Sequence, residues 1–298
     1  MSAALLTPEL ASRLGRLDFV ARLVVEGFLT GLHKSPYHGF SVEFAEYRQY
    51  IPGEPATHID WRAYARSDRH YLKVFAQETN LRATLLVDCS RSMAYSSDPA
   101  RPTKLDCARL LAASLAYLLL HQNDAVGLVT FDERPLAVVP ARSVRRQLFE
   151  ILKTLEAAPA GAGTRLGPVL HAVAARAHRR GLVVILSDLL DDAQAILSGL
   201  KHFRHRGHEV IVFQILDPRE LDLDFRRELE LEDLERPERR LRVDPAQAAA
   251  DYRARFAAWR EQLRRECRRQ LVDLVEITTD TPVDNVLLAC LGKRARLF

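Results

Sequence analysis

From residue 81 onward the chain alternates between short β-branched apolar runs and longer segments with apolar residues every three or four positions. No other feature constrains the fold as strongly. The short runs predict strands at Leu81–Val87, Ala125–Phe131, Leu136–Val139, Leu182–Leu186, Glu209–Leu216 and Val272–Ile277. The longer segments predict helices over Lys104–His121, Val144–Leu155, Leu166–His178, Ala193–Arg206 and Pro282–Leu291. Strands that alternate with helices predict an α/β fold, a doubly wound and mostly parallel sheet covered on both faces. The tight connection at Glu133–Pro135 predicts a hairpin carrying one short antiparallel strand.

The remaining segments flank or interrupt this series. Leu10, Leu14, Leu17, Val20, Val24 and Phe28 mark one face of a helix over residues 8–30, with Pro8 in its first turn and Gly31 at its end. Residues 36–80 mix prolines and glycines with Tyr37, Phe40, Phe44, Tyr47, Tyr50, Trp61, Tyr64, Tyr71 and Phe75, which reads as short strands and turns. Residues 217–244 are crowded with charge and lack periodicity, which reads as an inserted acidic lobe. Residues 246–270 form a helix bearing Arg253, Arg255, Arg260, Arg264, Arg265, Arg268 and Arg269. Its charged face is either simply solvated or a docking surface for an acidic partner. The expected organisation is a segment over 1–80, a domain over 81–292 and a basic tail over 293–298.

Composition narrows the functional classes. Of 298 residues, 48% are hydrophobic, so the chain can build a core without staples. Cys89, Cys107, Cys267 and Cys290 are scattered with no C-x-x-C pair, which argues against a disulfide scaffold or zinc ribbon and suits a reducing cytoplasm. A net charge of +4 is too weak to argue for nucleic acid. The longest apolar run, Leu110–Leu120, is far shorter than the roughly 20 residues that a membrane span needs. Glu9, Arg13, Arg16, Asp18, Arg22 and Glu26 interrupt the N-terminal segment as no signal-peptide core would be interrupted. The expectation is a soluble cytoplasmic protein.

The chemistry concentrates in Asp88-Cys89-Ser90-Arg91-Ser92, directly after the first buried strand. The carboxyl edge of an open α/β sheet is where ligands bind. Thr164 follows Gly161-Ala162-Gly163 before a helix, and Ser187-Asp188 follows the strand Leu182–Leu186. Carboxylates and hydroxyls from three loops form a hard oxygen donor set suited to Mg²⁺ or Mn²⁺.

The set Asp88, Ser90, Ser92, Thr164 and Asp188 resembles the metal-ion-dependent adhesion site of von Willebrand factor A domains. That resemblance implies that the serines ligate the metal directly, the threonine directly or through water, and the aspartates partly through water. The sixth position is then open to a carboxylate from a partner protein. Gly39-Phe40-Ser41-Val42-Glu43-Phe44, the run Glu46 to Glu54 and Ile59-Asp60-Trp61-Arg62-Ala63-Tyr64-Ala65-Arg66 are similar to the signature of the domain-of-unknown-function 58 family. Asp217-Pro218 and Tyr252 fit that family too, and Glu54 stands where it commonly has aspartate. The chain resembles the family's short soluble form. The family implies a von Willebrand A-like fold and a MoxR-type AAA+ ATPase as partner, with a role in assembling or maturing other complexes.

Enzymatic readings find less support. Cys89 has no adjacent histidine, and its carboxylate neighbour opposes a thiolate. No G-x-S-x-G or G-x-x-x-x-G-K-[ST] motif occurs. His202, His205 and His208 read as a basic helix end. Asp191 and Asp192 read as a helix N-terminus, and with Arg91 and Arg165 they are also what a metal-dependent phosphoester hydrolase would use. Asp60, Trp61 and Arg62 read as a buried anchor beside an ion pair, or as a partner contact. The expected function is a non-catalytic, metal-dependent protein-binding adaptor. The alternatives are that hydrolase and a metal-independent interaction protein.

Overall fold

The computed structural model of the chain describes residues 81–222 and 240–287, apart from 145, 162, 244 and 284, together with residues 17, 21, 47–49, 71–73 and 229–232. Positions 17 and 21 are helical; the rest of the helix expected over 8–30 lies outside the described residues. The chain divides into two compact units, residues 31–79 and the remainder. Within the smaller unit, strands β1 (Tyr47–Gln49) and β2 (Tyr71–Lys73) pair antiparallel.

The larger unit begins with β3 (Arg82–Asp88), a 3₁₀ turn at Arg91–Ala94 and helix α1 (Lys104–His121). The hairpin β4 (Ala125–Phe131) and β5 (Pro135–Arg142) follows, then α2 (Arg146–Ala157) and α3 (Leu166–Arg176). Next come β6 (Leu182–Ser187), α4 (Ala193–His205), β7 (Glu209–Leu216) and the short helix α5 (Pro218–Asp222). The lobe after β7 holds an antiparallel ribbon of β8 (Leu229–Glu232) and β9 (Arg240–Val243). The long helix α6 (Pro245–Arg269) and β10 (Asp273–Thr278) follow. Residues 283 and 285–287 are helical, within the helix expected over 282–291.

Six strands form one sheet in the order β10-β7-β6-β3-β4-β5, parallel throughout except for β4 with β5. This is the doubly wound, mostly parallel α/β sheet that the alternation predicts. All six residues of β6 are buried, as a central parallel strand covered on both faces requires. On one face Leu86, Ile185 and Val212 pack with Leu166, Leu170, Ile196, Leu200 and Phe203 of α3 and α4 and with Leu263 and Cys267 of α6. Helix α1 covers the opposite face with Leu111, Ala112 and Leu115. Each fully buried Leu, Ile or Phe contributes about 1.5–3 kcal/mol through water exclusion.

The antiparallel strand is not short. It runs eight residues, Pro135–Arg142, where the sequence suggests four. Pro135 and Pro140 read locally as breaks, but an edge strand tolerates missing donors. A register shift between Val126 and Leu128 accommodates the second half. Gly127 makes that shift possible, because a Cβ there would sit 2.8 Å from the backbone of Val139 and Ala141.

Candidate functional site

The carboxyl ends of β3 and β6 adjoin in the sheet, so the chain reversals after them share one edge. Asp88 closes β3 and is fully buried. Its Oδ1 accepts the Ser90 amide at 2.9 Å, and its Oδ2 accepts the Ser187 hydroxyl at 2.6 Å. The Ser90 and Ser92 hydroxyl oxygens lie 3.1 Å apart at the head of the 3₁₀ turn. Ser90 is buried and Ser92 half-buried.

The loop carrying Thr164 reaches the same edge. The Gly161 amide donates to the Cys89 carbonyl at 2.5 Å, and the Leu166 amide donates to Asp191 Oδ2 at 2.8 Å. Thr164 is therefore carried between the loops that follow β3 and β6. A Cβ on Gly161 would meet the Asp132 side chain at 2.6 Å, so that close passage needs glycine.

Asp188 is fully buried directly after β6. Its Oδ1 accepts the Leu190 amide at 3.1 Å, and Gln214 Nε2 donates to its backbone carbonyl at 3.2 Å. The next residue, Leu189, holds φ at 60°, a left-handed conformation unfavourable for a branched side chain. The Leu189 amide donates to Ser187 Oγ at 3.0 Å, which fixes this reversal.

Two residues that sequence reasoning missed, and Ser187, which it placed at this edge without a role, complete the site. Lys104 Nζ donates to Asp188 Oδ2 at 2.8 Å and to Glu220 Oε1 at 2.6 Å. Lys104 is fully buried, with Nζ 5.7 Å from the centroid of the Tyr95 ring. Ser187 is the third, through its bond to Asp88. A signal for Lys104 exists. It occupies the first turn of α1, where the helix dipole disfavours a cation, and it heads the buried stripe Lys104, Ala108, Leu111, Leu115. No local pattern marks Glu220, which lies 116 residues away.

Electrostatics separate the two aspartates. Burial, then the Asp188 charge, pushes the Asp88 carboxyl from 3.8 to about 7, against the bonds from Ser187 and Ser90. Burial opposes the Lys104 charge, but Asp188 and Glu220 outweigh it and hold the ammonium above the ordinary lysine range. Burial, followed by Asp88, raises the Cys89 thiol to about 12, which removes it as a nucleophile near neutrality.

Other polar groups near this edge are committed to structure. Asp191 accepts the Leu166 amide, and Asp192 caps α4 by accepting the Ala195 amide at 2.7 Å. The histidines on and after α4 do not converge: His202 Nδ1 faces His171 Nδ1 at 3.1 Å, whereas His208 is buried against the Phe203 ring. On α6, Arg260 and Arg264 both pair with Glu276 of β10. Asp60, Trp61 and Arg62 lie outside the described residues.

The hydroxyl spacing bears on whether the donor set fits a divalent cation. Two oxygens bound cis at about 2.1 Å in an octahedron are about 3.0 Å apart. The Ser90–Ser92 separation of 3.1 Å is that of the hydrogen bond between the two hydroxyls and is also compatible with that edge, beside a carboxylate whose charge is otherwise unfavourable. Among the described residues no three His, Cys, Asp or Glu side chains gather as a metal group. A set of two carboxylates and three hydroxyls does not depend on such a group.

Residues 46–266 match the family model described as "Protein of unknown function DUF58". An uncharacterised Mycobacterium tuberculosis protein, Rv1480, is 29% identical over 277 residues, which covers 92% of this chain and 86% of that protein. An uncharacterised Mycobacterium avium protein, MAV169, is 31% identical over 147 residues, covering 48% of this chain and 85% of that protein. Among solved structures, the conserved hypothetical protein BatB from Bacteroides thetaiotaomicron is similar at 17% identity with a TM-score of 0.48, covering 72% of this chain and 98% of that one. An aerotolerance-related membrane protein from Bacteroides fragilis is similar at 18% identity with a TM-score of 0.46 and the same coverage. Among the described residues no helix is long and apolar enough to cross a membrane.

Proposed function

The chain belongs to the DUF58 family, and on that premise we propose that it is a non-catalytic, divalent-metal-dependent protein-binding adaptor acting in the cytoplasm. The observation that carries this reading is the Ser90–Ser92 hydroxyl pair, 3.1 Å apart beside buried Asp88 at the carboxyl edge of the sheet. Ser90, Ser92 and Thr164 are the hydroxyl ligands in this reading, with Asp88 and Asp188 as the supporting carboxylates. A bound Mg²⁺ or Mn²⁺ supplies a Lewis-acidic position that a partner's carboxylate completes. Asp88 and Ser187 orient the serine loop, and the Leu189 reversal holds Asp188 in place.

The adaptor reading is preferred to hydrolysis because Asp191 and Asp192 are each engaged with a backbone amide at a helix N-terminus. The partner proposed is a MoxR-type AAA+ ATPase or a client protein that offers a carboxylate. That identification comes from the family resemblance, not from a residue of this chain.

The test is binding of the purified chain to the MoxR-type ATPase from the same genome, measured in Mg²⁺ and after chelation. Wild type should bind only with metal, and Asp88→Ala and Ser90→Ala should lose metal and partner together while keeping their circular dichroism. Binding that survives both chelation and substitution overturns the reading, and so does a wild type that takes up no metal.

A further inference from the structure

The Lys104 ammonium sits where a metal-site aspartate would be expected to meet only neutral donors or water. It is fully buried and touches both Asp188 and Glu220. Neither contact is incidental. Lys104 is fixed by the start of α1, where Thr103 and Asp106 cap each other reciprocally. Glu220 is fixed from two sides: its Oε2 accepts the Asp217 amide at 2.8 Å, and its backbone carbonyl accepts the Tyr252 hydroxyl at 2.6 Å. Asp217 in turn accepts the Ser97 amide at 2.9 Å and the Arg219 amide at 2.8 Å. A built chain of contacts thus runs from Asp188 through one ammonium to α5 and α6.

We propose that Lys104 and Glu220 are a charge-setting pair for the candidate metal site, with Lys104 positioning Asp188 and weakening the hold on a divalent cation, and Glu220 offsetting it. The proposal rests on the metal-site reading above. An ammonium bonded to Asp188 repels a divalent ion that uses the same carboxylate, and low dielectric strengthens that repulsion. Glu220 returns one negative charge at the same contact. Affinity for the ion is then set by residues outside the donor set, one of which stands in the lobe after β7. Partners of known metal ligands often set affinity in this way.

A purely structural role predicts something different. If the contacts only tie α1, β6 and α5 together, removing either partner loosens Asp188 and weakens metal binding in both cases. The charge-setting role predicts opposite signs.

The experiment is calorimetric titration of the full chain with Mn²⁺, comparing wild type, Lys104→Met, Glu220→Gln and the double variant. The Kd should fall about tenfold in Lys104→Met, rise about tenfold in Glu220→Gln and return near wild type in the double variant. If Lys104→Met does not fold, the comparison of wild type, Glu220→Gln and the double variant carries the same test. Shifts of one sign in both single variants, or unchanged Kd values, overturn the charge-setting role while leaving the metal site standing. Absence of Mn²⁺ binding in every variant overturns the metal-site reading itself.

Discussion

The ends of β3 and β6 are neighbours in one sheet, and each delivers a fully buried aspartate, yet the surroundings treat the two carboxylates in opposite ways. Among the described residues Asp88 receives hydrogen bonds from neutral donors, the Ser90 amide and the Ser187 hydroxyl. Asp188 receives a full ammonium from Lys104. Burial alone therefore does not decide the charge of a strand-end carboxylate. Asp188 has its counter-ion built in, whereas Asp88 faces a neighbouring negative charge and has its carboxyl raised to about 7. Asp88 is the carboxylate with most to gain from an added cation.

The largest effect should come from making the two ends alike. Lys104→Met leaves Asp188 and Glu220 buried without a cation and should cost about 3–5 kcal/mol in urea denaturation of the metal-free chain. A loss under about 1 kcal/mol would mean that Asp188 does not depend on the lysine.

Of the two strand-end aspartates, changing pH should act on Asp88; Glu220, whose carboxyl burial also raises, adds a slope of the same sign. The Asp88 carboxyl is raised in the folded state from 3.8 to about 7, so the folded chain binds this proton more tightly than the unfolded one. Its stabilising contribution is complete below the ordinary aspartate range and is lost as pH rises toward about 7. The metal-free chain should lose up to a few kcal/mol between pH 4 and 8, read by denaturation midpoints. Asp88→Asn should reduce that slope, and millimolar Mg²⁺ should reverse it at pH 8. A slope that persists undiminished in Asp88→Asn would assign the titration elsewhere.

Ser187→Ala removes the short bond to Asp88 Oδ2 and leaves the β6 end its ammonium. It should cost about 1.5–3 kcal/mol at pH 8, the range for a hydrogen bond to a charged group, and less at pH 5. Equal costs at both pH values would break the contrast. The smallest effect is expected at the far end of the Lys104 chain: Tyr252→Phe removes one bond to the Glu220 carbonyl, worth about 0.5–1.5 kcal/mol by thermal or urea unfolding.

Much of this was legible in the chain itself. The run Leu182–Leu186 is short, apolar and β-branched, so it could only be a buried strand, and the stripe on α1 could only be a core helix. The Asp88 to Ser92 loop was legible because its chemistry is local to one strand end. The length of β5 was not, because Pro135 and Pro140 read as terminators until the strand is seen at the sheet's edge. Leu189 at positive φ was equally hidden, since nothing in its side chain asks for that conformation.

The alternation of strands and helices and the oxygen-rich strand ends follow from the residues alone, because side-chain periodicity and turn chemistry act over a few residues. Which buried charges meet was settled by the packing. Lys104 finds Asp188 from 84 residues away and Glu220 from 116, and one aspartate gains a counter-ion while its neighbour does not. That outcome depends on how the sheet and helices bring distant segments together, since neutralising a buried charge requires proximity in space and leaves no periodic trace along the chain.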